Sequence, residues 1–185
     1  MLAILLLATS TVVQAAAPQD FKPVPGQQGK DAVWVPTSPA LVEKMLDLAK
    51  VTADDFVIDL GSGDGRMIIA AAKRGARALG VEYNPKMVEL SRQLAREAGV
   101  ADRATFVEGD MYQADISKAT VLALFLLPQN LQRLEPKFRA LRPGTRIVVN
   151  TFGIPDWTAD ATEQLTEDCT NWCTAILYRI PPAAK

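Results

Sequence analysis

The chain has 185 residues, 49% hydrophobic and 22% charged, with 20 Lys plus Arg against 21 Asp plus Glu and no histidine. That length supports one domain with one sizeable core, and a formal charge of −1 without a basic stripe offers no dedicated nucleic-acid surface. The lack of histidine excludes serine–histidine hydrolysis and any histidine-based metal site.

The chain opens with "LAILLLA" at 2–8, followed by "QAAAPQD". An apolar run ending in small residues is the pattern of a secretory signal peptide over residues 1–17, with cleavage after Ala15 or Ala17. No Lys or Arg precedes the run, so an uncleaved membrane anchor is the alternative, although a spanning helix needs roughly 20 apolar residues. The mature protein is expected to be exported, either periplasmic or secreted. Residues 18–34, rich in Pro, Gly and Gln, read as an extended arm, with Trp34 and Val35 anchoring its end to a domain over 35–185.

"TSPALVEKMLDLAK" predicts a helix, capped by Thr37 or Ser38, with Pro39 in its first turn and Leu41, Val42, Met45 and Leu46 on one face. "DFVIDL" is a short buried strand, followed by a glycine loop and a helix through "RMIIAAAKRG". "ARALGVEY" is a second strand. The helix after it has Asn84 as cap, Pro85 in its first turn, and an apolar face of Met87, Leu90, Leu94 and Ala98. "ATFVEGD" and "TVLALFL" are further strands, "PQNLQRLEPKFRAL" is helical despite Pro136, where a division of the helix is expected, and "GTRIVVNTF" is a fifth strand. Alternation of this kind predicts a mostly parallel sheet with helices on both faces. "ATEQLTED" and "CTAILYRI" break it and read as an antiparallel hairpin. Cys169 and Cys173 flank its connection and suit a disulfide if the chain turns between them. A redox-active pair lacks its CxxC form, and two free thiols are the state expected of an unexported chain.

The stretch "VIDLGSGDGRM" at 57–67 carries the chemistry. Three glycines after a strand let the backbone turn sharply and approach a bound molecule without a Cβ in the way. Such a ligand lies at the carboxyl end of the sheet. Glu82, ending the second strand, is placed to accept from two ribose hydroxyls. Together they point to a nucleoside-containing cofactor. A dinucleotide fingerprint wants G-x-G-x-x-G, whereas Arg66 stands at the sixth position here, and no G-K-[ST] of a Walker loop follows. Asp59 before the first glycine repels a pyrophosphate and favours an ammonium group.

"DLGSGDGR" with "GVEYNP" and "VEGD" at 107–110 resembles the cofactor motifs of class I S-adenosylmethionine-dependent methyltransferases. The resemblance covers about Val35 to Ile180 and implies a Rossmann-like α/β fold with a seven-stranded, mostly parallel sheet of order 3-2-1-4-5-7-6. It implies S-adenosyl-L-methionine as cofactor. Asp59, Gly61, Ser62 and Gly63 would surround its methionine part, Glu82 its ribose, Tyr83 and Met111 its adenine faces, and Asp110 the adenine amine. "VWVPTSP" and "FLLPQNL" are similar to segments of a narrower group, the prokaryotic relatives of the mitochondrial ATP synthase c-subunit lysine methyltransferase. In that group Val35, Pro36 and Thr37 would help close the cofactor site, and Trp34 replaces a tyrosine.

The narrower resemblance implies an amine acceptor, a protein lysine or a small molecule. Amine methylases of this fold that act on bases commonly carry N/D-P-P-Y/F after the fourth strand, where this chain has Leu126, Leu127, Pro128 and Gln129. Leu127, Pro128 and Asn130 are the expected acceptor wall, or else a loop and helix start that merely support the sheet. Asp64 and Arg66 are expected to pair or to serve the helix start. Tyr112 either reaches the cofactor or packs, and Trp157 either caps the acceptor side or anchors the core. The alternatives from other classes are a non-catalytic exported protein that keeps the fold and with it even the cofactor pocket, which a failure to bind cofactor would favour, and a nicotinamide-dependent oxidoreductase, which Asp59 and Arg66 disfavour.

Overall fold

The protein is described by a computed structural model covering residues 21–182. The expected leader at 1–17 lies outside the described residues. The elements follow in the order α1 (Pro39–Leu48), β1 (Phe56–Leu60), α2 (Arg66–Lys73), β2 (Arg77–Glu82), α3 (Pro85–Glu97), β3 (Ala104–Glu108), β4 (Val121–Leu124), α4 (Pro128–Arg139), β5 (Arg146–Asn150), β6 (Ala161–Gln164) and β7 (Thr174–Arg179). The strands form one sheet of order β3-β2-β1-β4-β5-β7-β6. β1 to β5 run parallel to one another, and β7 runs antiparallel to both β5 and β6. This is the Rossmann-like class I methyltransferase fold with its terminal hairpin.

Period-two alternation in the strands divides the core into two layers. Val57, Ala78, Val121, Val148 and Leu177 face α1, α2 and α3, while Ile58, Leu122, Ile147, Val149 and Tyr178 face α4. α1 begins where Ser38 accepts from Leu41 N at 3.2 Å, with Pro39 at its first position. It buries Leu41, Val42, Met45 and Leu46 completely or nearly so. Each such side chain stabilises the fold by roughly 1.5–3 kcal/mol. α4 runs unbroken through Pro136, against the expected division, and buries Leu131, Leu134 and Phe138 on the other layer.

α3 departs from its expected face. Asn84 caps it as read, but the buried stripe is Met87, Val88, Ser91 and Ala95, with Leu90 and Leu94 only half-buried. The fully buried Ser91 explains the rotation. Its hydroxyl donates to Gly63 O at 2.9 Å and Met87 O at 2.8 Å, and its Cβ fills the space beside Gly65, so α3 presses a small side chain against the glycine loop.

The arm is not extended where it is described. Gly26 N donates to Trp34 O, Trp34 N to Gln27 O, and Gln28 pairs with Val33, making a small hairpin that folds back on the sheet's carboxyl edge. The Trp34 indole lies on Gly63: a Cβ there would meet Trp34 Nε1 at 2.4 Å.

Candidate active site

The carboxyl ends of β1 to β5, the arm hairpin and the loop before β7 enclose a cleft of about 280 Å³. Val35, Pro36, Thr37, Asp59, Gly61, Ser62, Gly63, Glu82, Tyr83, Asp110 and Met111 all line it. Spatial strand order turns these into a sequence of positions along one rim. Asp110 follows β3, Glu82 ends β2 and Asp59 lies in β1, with the glycine loop between the last two.

The loop between β1 and α2 has Gly61, Gly63 and Gly65 at φ +77, +56 and +80, a region only glycine enters freely. The turn is tied to β2. Gly61 N and Ser62 N donate to Val81 O at 2.8 and 3.1 Å, and Gly63 N donates to Glu82 Oε2 at 2.9 Å. Gly65 N donates to Ser62 O, and Asp64 Oδ1 accepts from Arg66 N at the start of α2. These amides are therefore committed to protein acceptors, unlike the free N–H fork that binds a pyrophosphate. Ser62 lines the cleft beside the glycine turn, as expected, but its side chain is turned away from solvent. Its hydroxyl is enclosed against Gly80 and has no partner among the described residues.

Glu82 is held from both oxygens, since Oε1 also accepts from Asn84 N at 2.9 Å. Its orientation is fixed before any ligand arrives. Asp59 is different. It is 7% exposed, and no hydrogen bond reaches its carboxyl among the described residues. Burial first, then the charges of Glu82 and Asp64, push its pKa up to about 8. A buried carboxyl beside two other acids lacks one thing, a cation, and a ligand ammonium would supply it.

Arg66 and Asp64 pair in a fork, with Arg66 Nη2 2.6 Å from Asp64 Oδ2. Arg66 Nη1 also donates to Thr37 O at 2.7 Å, and Thr37 Oγ1 accepts from Asn150 Nδ2 at 3.2 Å. The segment before α1 is thus pinned between α2 and β5, which closes the cleft beside Asp59.

At the other end, Asp110 Oδ1 accepts from Tyr112 N at 2.8 Å and Oδ2 from Lys30 Nζ at 2.9 Å. The Lys30 hydrogen bond, and after it the Tyr112 amide, hold the Asp110 carboxyl below the usual carboxylate range. Lys30 also lies 5.2 Å from the centre of the Tyr83 ring. Sequence reasoning gave Lys30 no role, because only the arm's hairpin brings it there.

The expected acceptor wall is corrected. Of Leu127, Pro128 and Asn130, only Leu127 lines the cleft. Pro128 is exposed at the first position of α4, and Asn130 is buried behind it, donating to Tyr112 Oη at 2.7 Å. Tyr112 accordingly packs. Trp157 is an anchor, donating to Glu135 at 3.2 Å and standing edge-on to Tyr178. The wall that does form beyond Asp59 includes Phe125, Leu126, Phe152 and Trp172. Trp172 belongs to the turn closed by a Cys169–Cys173 disulfide, whose Cα atoms are 5.7 Å apart.

The profile of the ANTKMT methyltransferase domain matches residues 59–161, more than half of the chain. The chain belongs to this methyltransferase family. The methyltransferase is 44% identical to the protein-lysine N-methyltransferase of Saccharolobus islandicus over 127 residues, 67% of this chain and 79% of that one. It is 36% identical to the human ATP synthase c-subunit lysine N-methyltransferase over 128 residues, 69% of this chain and 54% of that one. The matched part is thus about half the length of such animal relatives. Its fold superposes, with a TM-score of 0.76 and 42% identity, on the crystal structure of an RNA methyltransferase from Salinibacter ruber in complex with S-adenosyl-L-homocysteine, covering 82% of this chain and 97% of that one.

Proposed function

We propose that this methyltransferase uses S-adenosyl-L-methionine and transfers its methyl group to the side-chain amine of a protein lysine. The observation that carries the reading is the row of acids along one rim: Asp110 after β3, Glu82 ending β2, and the unpaired, buried Asp59 in β1. Asp59 would bind the ligand's α-ammonium, the prefixed Glu82 its ribose hydroxyls, and Asp110 the adenine amine, while Tyr83 and Met111 flank the base. When bound, the cofactor supplies a methyl group already activated on a sulfonium.

The protein's remaining work is alignment and exclusion of water. Thr37, pinned by Arg66 and Asn150, closes the Asp59 side. An apolar wall at Leu126 and Leu127 desolvates an incoming ammonium and lowers its pKa, so that it presents a lone pair.

The lysine acceptor is supported by the 44% identical relative named for that activity. A base acceptor is the second reading, favoured by the RNA methyltransferase of Salinibacter ruber. A net charge of −1 and the absence of an N/D-P-P-Y/F segment weigh against it. Calorimetry with S-adenosylhomocysteine tests the cofactor, with Asp59→Ala and Glu82→Ala expected to weaken binding strongly. Labelled S-adenosylmethionine, incubated with a membrane and protein extract, should then yield methyl-lysine on hydrolysis. Label recovered only in RNA would favour the second reading.

Export is part of the same proposal. The leader pattern at 1–17 supports it, as does a disulfide, which persists in oxidising compartments. Intact mass of protein made with its leader should show cleavage after Ala15 or Ala17 and the loss of both thiol hydrogens. Full length with two alkylatable thiols would count against export.

A further inference from the structure

Beyond Asp59, away from the ribose acid, the rim changes character. β4, β5 and β7 are consecutive in the sheet, and the ends of all three that reach the rim carry an aromatic residue: Phe125 after β4, Phe152 after β5, and Trp172 before β7. All three line the same cleft as Asp59 and Glu82. The Phe125 and Phe152 rings are stacked, 17° from parallel with centres 6.2 Å apart, and the Trp172 ring is tilted 56° to Phe125 at 6.1 Å.

The backbone holds this arrangement. Thr151 sits at φ +58 and Phe152 N donates back to Asn150 O at 2.6 Å, a tight turn that redirects Phe152 off the strand. Thr151 N donates to Thr174 O at 2.7 Å, and Leu165 N to Cys173 O at 2.8 Å. Cys173 and Thr174 are therefore held from both sides of β7. Trp172 is the next residue out, at φ +55, inside the ring closed by Cys169 and Cys173. Trp172 is nonetheless 43% exposed, so the bridge holds this residue at the mouth rather than burying it in the core.

We propose that Trp172, positioned by the Cys169–Cys173 bridge, forms with Phe125 and Phe152 the acceptor slot, which takes a lysine-like alkylammonium side chain and admits it well only when the bridge is formed. The inference rests on the methyl-transfer reading and extends it to the acceptor side. Chemistry favours this occupant. Aromatic faces attract a cation while the ring bodies cover an aliphatic stem. A carboxylate in that position would instead hold the proton on the amine, whereas an aromatic, desolvating wall lets it leave. A nucleobase could stack on the same rings, but among Phe125, Leu126, Leu127, Phe152 and Trp172 only the Trp172 indole N–H can hydrogen-bond, a single donor that cannot read a base edge by paired donor and acceptor.

The test uses the oxidised protein saturated with S-adenosylhomocysteine and titrated with Nα-acetyl-lysine amide, followed by tryptophan emission and by ligand-observed magnetic resonance. The expected result is a saturable response that the norleucine analogue, lacking the ammonium, does not give. Trp172→Ala should weaken lysine-amide binding about tenfold, and Cys169→Ser with Cys173→Ser should weaken it by severalfold. In both variants the S-adenosylhomocysteine affinity should stay within about twofold of wild type, which also shows that they fold. Lysine-amide binding unchanged by Trp172→Ala, equal binding of norleucine amide, or a response to adenosine or cytidine with none to the lysine amide would overturn the slot alone. Failure of the wild type to bind S-adenosylhomocysteine would instead remove the methyl-transfer reading beneath it.

Discussion

The ammonium of Lys30 lies 2.9 Å from the carboxylate of Asp110, joining the arm hairpin to the turn after β3 at the place proposed for the adenine amine. Lys30 and the adenine would then compete for the same oxygen. Lys30→Ala should strengthen S-adenosylhomocysteine binding by about two- to fivefold, because an exposed ion pair is weak, with a larger gain at low salt. Calorimetry at two ionic strengths checks this. Weaker binding by the variant would mean that Lys30 grips the ligand.

Asp59 predicts a pH dependence with a definite sign. Its carboxyl in the free protein is pushed up to about 8 by burial, then by Glu82 and Asp64, and a bound ammonium favours the ionised form. Affinity for S-adenosylhomocysteine should therefore climb by up to ~tenfold per unit as pH rises toward about 8, then level off. Asp59→Asn should flatten the profile and weaken binding at its top.

The same group acts on stability in the opposite sense. Its folded-state pKa lies above the unfolded value of 3.8. Its contribution is therefore fully present below the unfolded value and is lost as pH rises through about 8. Relative to Asp59→Asn, thermal melts of the ligand-free wild type should fall progressively from about pH 4 to about pH 8 and level off above it. Parallel curves for the two proteins would contradict the burial argument.

Gly63 predicts a coupling between loop and arm. A Cβ there would lie 2.4 Å from Trp34 Nε1, on a residue at φ +56. Gly63→Ala should displace Trp34, shift its fluorescence, and cost about 1–3 kcal/mol of stability along with much of the cofactor affinity. Gly144→Ala is the control: it shares the positive φ, but its Cβ would meet nothing within 4 Å. It should show the backbone penalty and bind cofactor normally.

Asp55 anchors the opposite end of β1. It pairs with Arg146 and accepts from Thr120 Oγ1 at 2.7 Å and Thr52 N at 2.8 Å. Burial pushes its carboxyl up, but the Thr52 amide, the Thr120 hydroxyl and Arg146 outweigh that and hold it below the ordinary range. The stabilisation is present above the unfolded pKa and lost as pH falls through the folded one. Asp55→Ala should cost about 1–3 kcal/mol at neutral pH by removing the carboxylate partner of Arg146 and leaving the Thr52 amide unpaired, with the difference shrinking in acid. Cofactor affinity should not change, since Asp59 lies roughly 13 Å further along the strand.

What the sequence disclosed and what it hid divide along physical lines. The glycine loop, Glu82 and the Ser38 and Asn84 caps were legible because each is a local demand: a positive φ, a strand-end acid, an orphan amide. The terminal hairpin was legible because no helix-length segment separates its strands. The rotation of α3 was not, because it depends on Ser91 finding Gly63 O across the loop. Asn130 looked available until Tyr112 claimed its amide. Lys30 was invisible because the arm's Pro and Gly content gave no sign of the pairing between Gln28 and Val33. The rings of Phe125, Phe152 and Trp172 meet only because the sheet places β4, β5 and β7 side by side.

The reversal of β7 has its own consequence. Because it runs against β5, its leading end rather than its trailing end arrives at the rim. The turn of residues 169–173 joins β6 to β7 with no helix between them, so it can change length without moving a crossover helix. With the acceptor slot proposed above, acceptor choice would be separable from donor chemistry, and exchanging that small ring is a direct way to redirect the enzyme.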